Sequence, residues 1–306
     1  MAFLEQHKAG SPTNEQVYWI SMKPKQVSQR FYEQSGHRVS HGLVKRALLS
    51  LNFSYRKMSK SLPTGQYGQR DLQFRIIFTL VAITSQKTPL ICIDCKKKER
   101  LGNLYREGKC YVQQGQLQVF DHDYDHLAQG RLIPFGIYDL CLGQGYVSIG
   151  TSHETAEFIA DTLLWWWEGF GHHHYPEAGS IMILCDAGGA NSYRHHAFKK
   201  QMLALAAQTG MDIYVCHYPP YASKWNPIEH RLFPHLHRAM EGVILTDYQL
   251  AKQLMEKTTT RTGLSVIVNI NHKHYQTGTT TAKDEVDWSR VRPHPVLPQL
   301  SYRLMP

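Results

Sequence analysis

Two short apolar runs in this chain each end in an aspartate, Leu90-Ile-Cys-Ile-Asp94 and Ile181-Met-Ile-Leu-Cys-Asp186. Runs this short, bounded by polar residues and turn formers, are expected as buried strands. An acid that ends such a strand is costly to bury unless something positive meets it. A third acid follows in Ser223-Lys-Trp-Asn-Pro-Ile-Glu-His-Arg-Leu-Phe233. There Asn226 is a good helix N-cap, Pro227 suits the first helical position, and Glu229 falls in the first turn. Glu229, Phe233, Leu236 and Met240 recur at helical spacing on a face that must pack inward.

Each acid also has a plainer role open to it. Lys96, Lys97 and Lys98 follow Asp94 at once and can form an ion pair with it. Asp186 precedes Ala187-Gly-Gly-Ala-Asn191, which is good turn chemistry in its own right. The same glycines permit a phosphate backbone to approach, and Asn191 or Ser192 can cap the next helix. Glu229 can serve simply as the third-position glutamate of a capping box. Taken in order, however, two strand-end aspartates and a helix glutamate form a set of hard oxygen donors. Such a set suits divalent cations, and a pair of them about 3.5–4 Å apart is an effective device for phosphoryl transfer.

The rest of the chain supplies context. Residues 1–15 are polar and expected to fray, and a helical pattern runs from about 17 to 53. Gly36 breaks that pattern and Ser40 can cap a second helix, giving a helix-turn-helix-like pair with Lys45 and Arg46 on its second member. An ordinary helical hairpin is the alternative. A basic, turn-rich linker follows, Tyr55-Arg-Lys-Met-Ser-Lys60, in which Arg56 and Lys57 suit phosphate contacts. Thirty-four Lys and Arg against 25 Asp and Glu give a net charge of +9, which fits a polyanionic partner.

Further along, a helix is expected over 71–85, then strands at 91–94, 109–112, 135–142 and 146–149. Thr151-Ser-His-Glu154 reads as a capping box opening a helix with Ile159, Leu163 and Trp166 on its buried stripe. A strand at 181–185, a helix over 193–208 and a strand at 212–216 lead to the Glu229 helix. Strands first and then alternating helix and strand give a mixed sheet with helices on both faces. Asp139, inside a hairpin strand, is a substitute candidate for Asp94, and His217 and Lys224 flank a Pro-Pro loop near the site. The segment Gly171-His-His-His174 reads as a polar loop, and the tail from Arg292 as extended. Cys92-Ile-Asp-Cys95 lacks a second cysteine pair and is read as two buried thiols of a reducing compartment. With no signal peptide pattern and no apolar run near the roughly 20 residues needed to span a bilayer, a cytoplasmic protein without membrane partners is expected.

The chain resembles insertion-sequence DDE transposases of the Rhodopirellula type. The resemblance is carried by Ile93-Asp-Cys-Lys-Lys-Lys-Glu99, Pro134-Phe-Gly-Ile-Tyr-Asp139, Thr155-Ala-Glu-Phe158, Asp186-Ala-Gly-Gly-Ala-Asn191, Cys216-His-Tyr-Pro-Pro220, Ser223 to Phe233 and Thr258-Thr-Thr-Arg-Thr-Gly263. These cover about residues 90 to 280 in order. Cys95 and Ala190 stand where the pattern has a hydroxyl residue, the N-terminus is shorter than expected, and the ending departs from the pattern. The resemblance implies an RNase H-like mixed sheet flanked by helices, preceded by a small helix-turn-helix-like DNA-binding domain. It implies Asp94, Asp186 and Glu229 as catalytic acids holding two Mg²⁺ ions, with Mn²⁺ able to substitute. Strand cleavage at element ends and attack of the freed 3′-hydroxyl on target DNA would follow, with DNA as partner and a homo-oligomer assembled on it. Lys96, Lys97, Lys98, Lys224 and Arg231 would then neutralise phosphates beside the acids. The expected layout is 1–65 for DNA binding and linker, 66–250 for catalysis, and 251–306 as a C-terminal extension. A nuclease without strand transfer and a catalytically silent DNA-binding remnant are the alternatives.

Overall fold

The computed structural model describes residue 3 and residues 8–11, 14–20, 22–55, 68–84, 87–113 and 115–306. The chain forms two compact units, Met1–Leu62 and Pro63–Pro306.

In the first unit, strands β1 (Lys8–Ser11) and β2 (Asn14–Ile20) form an antiparallel hairpin, followed by helices α1 (Pro24–Ser35) and α2 (His41–Ser50). The expected fraying to residue 15 and helix from residue 17 are therefore corrected. Val17-Tyr-Trp-Ile20 is a β-branched and aromatic run that suits a strand, and Pro24 at a helical first turn fixes where α1 begins. Gly36, with φ 71°, ends α1 in the left-handed region, and its N–H returns to the carbonyl of Tyr32. Ser40 caps α2 as its sequence suggests, its Oγ accepting from Leu43 N at 3.1 Å. Val27 and Val44 are the buried residues of the two helices, while Lys45 and Arg46 are exposed. Arg56 and Lys57 lie outside the described residues.

The second unit is built on a mixed sheet. Its elements are α3 (Arg70–Ile83), β3 (Leu90–Cys95), β4 (Glu99–Leu101), β5 (Gly130–Asp139), β6 (Gln144–Gly150), α4 (Ala156–Trp166), β7 (Ser180–Cys185), α5 (His196–Thr209) and β8 (Asp212–His217). They continue with α6 (Ile228–Arg231), α7 (Phe233–Ala239), α8 (Tyr248–Glu256), β9 (Val266–Asn271), β10 (Val291–Pro293) and β11 (Ser301–Leu304). Among the described residues the strand order is β10-β11-β8-β7-β3-β5-β6-β9, with β4 pairing β5 to one side. At its centre β3, β7 and β8 are parallel, β5 runs antiparallel to β3, and β6 antiparallel to β5. That order and direction define an RNase H-like sheet. Residues 251–306, read from sequence as an extension, add β9 to one edge and β11 and β10 to the other.

Period-two alternation divides the core between the two faces of the sheet. Ile91 and Ile93 of β3 join Phe158, Leu163 and Trp166 of α4 and Phe198 and Met202 of α5 on one face. Leu90 and Cys92 join Ile228, Leu232, Phe233 and Leu236 on the other. The three consecutive tryptophans Trp165–Trp167 all serve the first face. Trp166 is fully buried and Trp165 and Trp167 pack against the same cluster, where α4 runs on through a π-helical turn, Trp167–Gly171. His172–His174 continue that helical path, so the expected polar loop is absent there.

Three local expectations fail for identifiable reasons. Residues 109–112 form no strand; the loop is instead pinned to Gly242, whose carbonyl accepts from Cys110 Sγ at 3.0 Å, and β4 is the strand that pairs β5. The cap of α4 is Thr155, whose Oγ1 accepts from Phe158 N at 3.2 Å, so Thr151 opens no capping box and Glu154 lies outside the helix. The Glu229 helix breaks at Leu232, just before Pro234, into α6 and α7. Proline lacks the amide hydrogen and crowds the preceding turn, which is sufficient to interrupt the run.

Candidate active site

The register of the parallel pair β3 and β7 aligns Ile93 with Cys185. The next residue on each strand is an aspartate, so Asp94 and Asp186 emerge side by side at the carboxyl end of adjacent strands, roughly 5 Å apart in backbone. Alternation places both on the face that carries Leu90, Cys92, Met182 and Leu184, the face covered by α6 and α7. Glu229 arrives on α6.

Two glycines and an asparagine bring α6 down to the sheet. Gly136 of β5 stands opposite Asp94 in the ladder. A Cβ there would meet Phe233 Cε1 at 2.7 Å and Ile228 Cδ1 at 2.9 Å. Gly145 of β6 does the same for Leu232, whose Cδ1 would lie 2.5 Å from an added Cβ. The absence of side chains at these positions makes the notch in which the helix sits. Asn226 is fully buried and its amide donates to the carbonyl of Ile93 at 3.1 Å, tying the start of the helix to the end of β3. Asn226 therefore does not cap with its side chain, contrary to the sequence reading, and Pro227 holds the cap position.

The electrostatics follow from this crowding. Burial first, and then the neighbouring Asp186 and Glu229, push the Asp94 carboxyl up to about 8; in its protonated form it hydrogen-bonds with Glu229. Among the described residues the backbone help comes from the N–H of Cys95, which donates to Asp94 Oδ1 at 2.8 Å. Asp186 is also raised, chiefly by burial and further by Glu154 and Glu229, against donation from Asn191 and the N–H of Gly188. Asn191 Nδ2 donates to Asp186 Oδ1 at 2.9 Å, so it orients the acid and does not cap α5. Ser192 does not cap α5 either; its Oγ accepts from Arg194 N at 3.4 Å.

The lysines after Asp94 do not neutralise it. Lys96 is buried and pairs with Glu99, which Arg106 also meets at 2.7 Å. Lys96 is thereby committed to a structural pair and is withdrawn from phosphate contact. Lys98 reaches Glu154 at 3.3 Å, and Lys97 is exposed. Among the described residues no Lys or Arg forms an ion pair with Asp94 or Asp186. Arg231 is exposed on α6, and Lys224 lies half-buried with its Nζ 5.8 Å from the Trp225 ring centroid.

Asp94, Asp186 and Glu154 line a single open cavity of about 480 Å³, together with Lys96–Lys98, Gly188, Gly189 and Asn191. Its donor set is carboxylate oxygen, which hard divalent cations prefer. The thiols of Cys95 and Cys185 are pushed up by burial and offer no thiolate in competition. Among the described residues no three His, Cys, Asp or Glu side chains are already drawn tightly enough to enclose an ion. The chemistry of the donors fits a divalent cation.

Sequence reasoning missed Glu154 and, although it named His217 as lining the site, missed the partners of that histidine. Glu154 was hidden by its apparent place in a capping box. Behind Asp186, fully buried His217 donates from Nδ1 to the Asp186 carbonyl at 3.0 Å and accepts at Nε2 from Tyr302 Oη at 2.9 Å. The carbonyl can only accept, which fixes this tautomer, and burial lowers the imidazole to about 4, keeping it neutral. His217 thus supports the site from behind and does not line it. Asp139, the substitute candidate, is fully buried at the far end of β5. It accepts from Tyr175 Oη and from the N–H groups of Cys141 and Leu142, which makes it the anchor of a turn.

An RNase H-like sheet with acids gathered at the carboxyl ends of its central strands is the framework of DDE-type enzymes. The chain belongs to the family described as Rhodopirellula transposase DDE domain, which matches residues 1–306. No curated protein matches the sequence. Among solved structures, the chain is similar to the Mos1 transposase paired-end complex with left transposon end, at 14% identity and a TM-score of 0.47. That match covers 78% of this chain and 66% of the other, just under two-thirds of its length. A mariner Mos1 paired-end complex with Mg matches at 14% identity and a TM-score of 0.49, covering 81% and 75% of the two chains. No helix among the described residues is long and apolar enough to cross a membrane.

Proposed function

We propose that this chain is a DNA transposase that cuts phosphodiester bonds at the ends of an insertion sequence and joins the freed 3′-hydroxyl to target DNA. The observation that carries this reading is Asp94 and Asp186 side by side, with Glu229 against Asp94 and, among the described residues, no Lys or Arg paired to either aspartate. Asp94, Asp186 and Glu229 would hold two Mg²⁺ ions, or Mn²⁺ in their place. Bound there, such ions supply activation of a water or 3′-hydroxyl and stabilisation of the leaving oxygen.

The chain's own groups have separate tasks. Asn191 and the His217–Tyr302 pair fix the direction of Asp186, and Asn226 and the Gly136 notch fix the height of Glu229. Gly188 and Gly189 keep the cavity rim open to a phosphate backbone. Exposed Lys97 and Arg231, with Lys224, would neutralise phosphates near the acids. The helical pair with Lys45 and Arg46, and the linker with Arg56 and Lys57, would hold the element end. The working division is 1–65 for end binding, 66–250 for catalysis and 251–306 for completing the catalytic sheet, within a homo-oligomer on DNA.

The test is an oligonucleotide carrying candidate end sequence, incubated with wild type or Asp186→Ala, with and without Mg²⁺ or Mn²⁺. Joined products that need the metal and vanish in the variant are expected. Cleavage without joining would favour a nuclease, and cleavage indifferent to Asp186 would sink the assignment.

A further inference from the structure

We propose that Glu154 is a fourth carboxylate of this site, that Lys98 is its counter-ion in the metal-free protein, and that an arriving divalent cation displaces Lys98. The inference rests on reading Asp94 and Asp186 as metal-holding acids. Glu154 lies outside α4, whose cap is Thr155, so it has no capping task to account for its position. Its carboxylate instead lines the cavity that Asp94 and Asp186 share. Its Oε1 lies 3.5 Å from the point where a Cβ on Gly189 would sit, so Glu154 approaches the turn that follows Asp186. On the other side its Oε2 is 3.3 Å from Lys98 Nζ.

The two partners are not equivalent. The side chain of Glu154 is 18% exposed and that of Lys98 is 47% exposed. The acid is the fixed member, set in the cavity wall, and the lysine reaches in from solvent on a flexible stem. An exposed ammonium of this kind is held weakly and exchanges readily. Carboxylates gathered around one cavity repel each other, and Lys98, which lines the same cavity, offsets the charge of Glu154. Once displaced, Lys98 is free at the cavity rim, where a phosphate of the nucleic acid would pass.

This arrangement predicts effects of opposite sign. Removing Glu154 takes a donor from the cation, while removing Lys98 takes away its competitor. A plain structural ion pair predicts that the two losses act alike. The experiment is a calorimetric titration of Mn²⁺ into the full chain, freed of metal by chelator, for wild type, Glu154→Gln, Lys98→Met and Asp94→Asn. Melting curves in chelator establish that each variant is folded. Glu154→Gln is expected to weaken Mn²⁺ binding by about tenfold or more, and Lys98→Met to tighten it by about threefold. Should Glu154→Gln fail to fold, the tightening in Lys98→Met carries the test alone. Unchanged affinity in Glu154→Gln with weakened affinity in Asp94→Asn would overturn the role of Glu154 and leave the site standing. Unchanged affinity in Asp94→Asn would overturn both. Weakening of similar size in Glu154→Gln and Lys98→Met would mark a structural pair and overturn the proposal.

Discussion

Asp94 and Asp139 sit on neighbouring strands, three ladder steps and about 10 Å apart, and both are raised by burial. Their surroundings differ completely. Asp139 accepts from a tyrosine hydroxyl and two backbone N–H groups, so its charge is answered and its turn is held. Asp94 has one backbone donor and faces two further acids. A buried acid with its donors in place is part of the frame. One left facing like charges stores unfavourable energy that only an added cation, or a proton, relieves. The donors around each acid distinguish the two where sequence position alone leaves both open.

Substitution of each acid should therefore fail in a different way. Asp94→Ala or Asp186→Ala is expected to lower strand cleavage by at least about a thousandfold. The melting temperature in chelator should hold or rise, because a buried acid short of donors is removed. Asp139→Ala strands the buried Tyr175 Oη and takes the acceptor from two amides of the turn, and is expected to cost about 3 kcal/mol in denaturant unfolding. Stable Asp139→Ala protein with lost cleavage would break the contrast.

The notch under α6 offers a smaller, sharper test. Gly136→Ala forces a methyl against Phe233 and Ile228 and is expected to destabilise by about 1–3 kcal/mol. Cleavage should fall further than unfolded protein explains, since the helix bearing Glu229 must lift. Proportionate losses of activity and stability would deny that helix height matters.

A pH series probes the same charge crowding without mutation of the fold. Asp94 is normally near 3.8 and is pushed to about 8, so between these values the folded protein keeps a proton that the unfolded chain has released. Its contribution to stability is fullest below the lower value and is lost as pH rises through the upper one. Melting in chelator should show metal-free wild type weakening from pH 4 to pH 8, with a flatter profile in Asp94→Asn. The same slope in both would place the titration elsewhere. The mildest change is Thr155→Ala, which removes the cap of α4 and is expected to cost about 1 kcal/mol in denaturant unfolding, with cleavage unchanged.

Much of the frame was legible because local pattern and tertiary role coincide. The strands ending at Asp94 and Asp186 are apolar and short, and Ser40 and Gly36 bound their helices as such residues do. Local readings fail where a side chain is taken by a partner other than the one its neighbourhood suggests. Asn226 looks like a cap, but its amide serves the carbonyl of Ile93. Glu154 looks like half of a capping box but faces the cavity, and Lys96 looks like the partner of Asp94 but belongs to Glu99. Gly136 carries no sequence signal of its purpose, because the side chains it makes room for lie about a hundred residues downstream.

The carboxyl ends of β3 and β7 are proposed to form a divalent-cation site. Anomalous diffraction from crystals of the full chain soaked in Mn²⁺ tests it directly. Mn²⁺ is expected between the carboxylates of Asp94 and Asp186, with Glu229 turned toward it. Mn²⁺ seated at other side chains, with this cavity free of anomalous density, would contradict it.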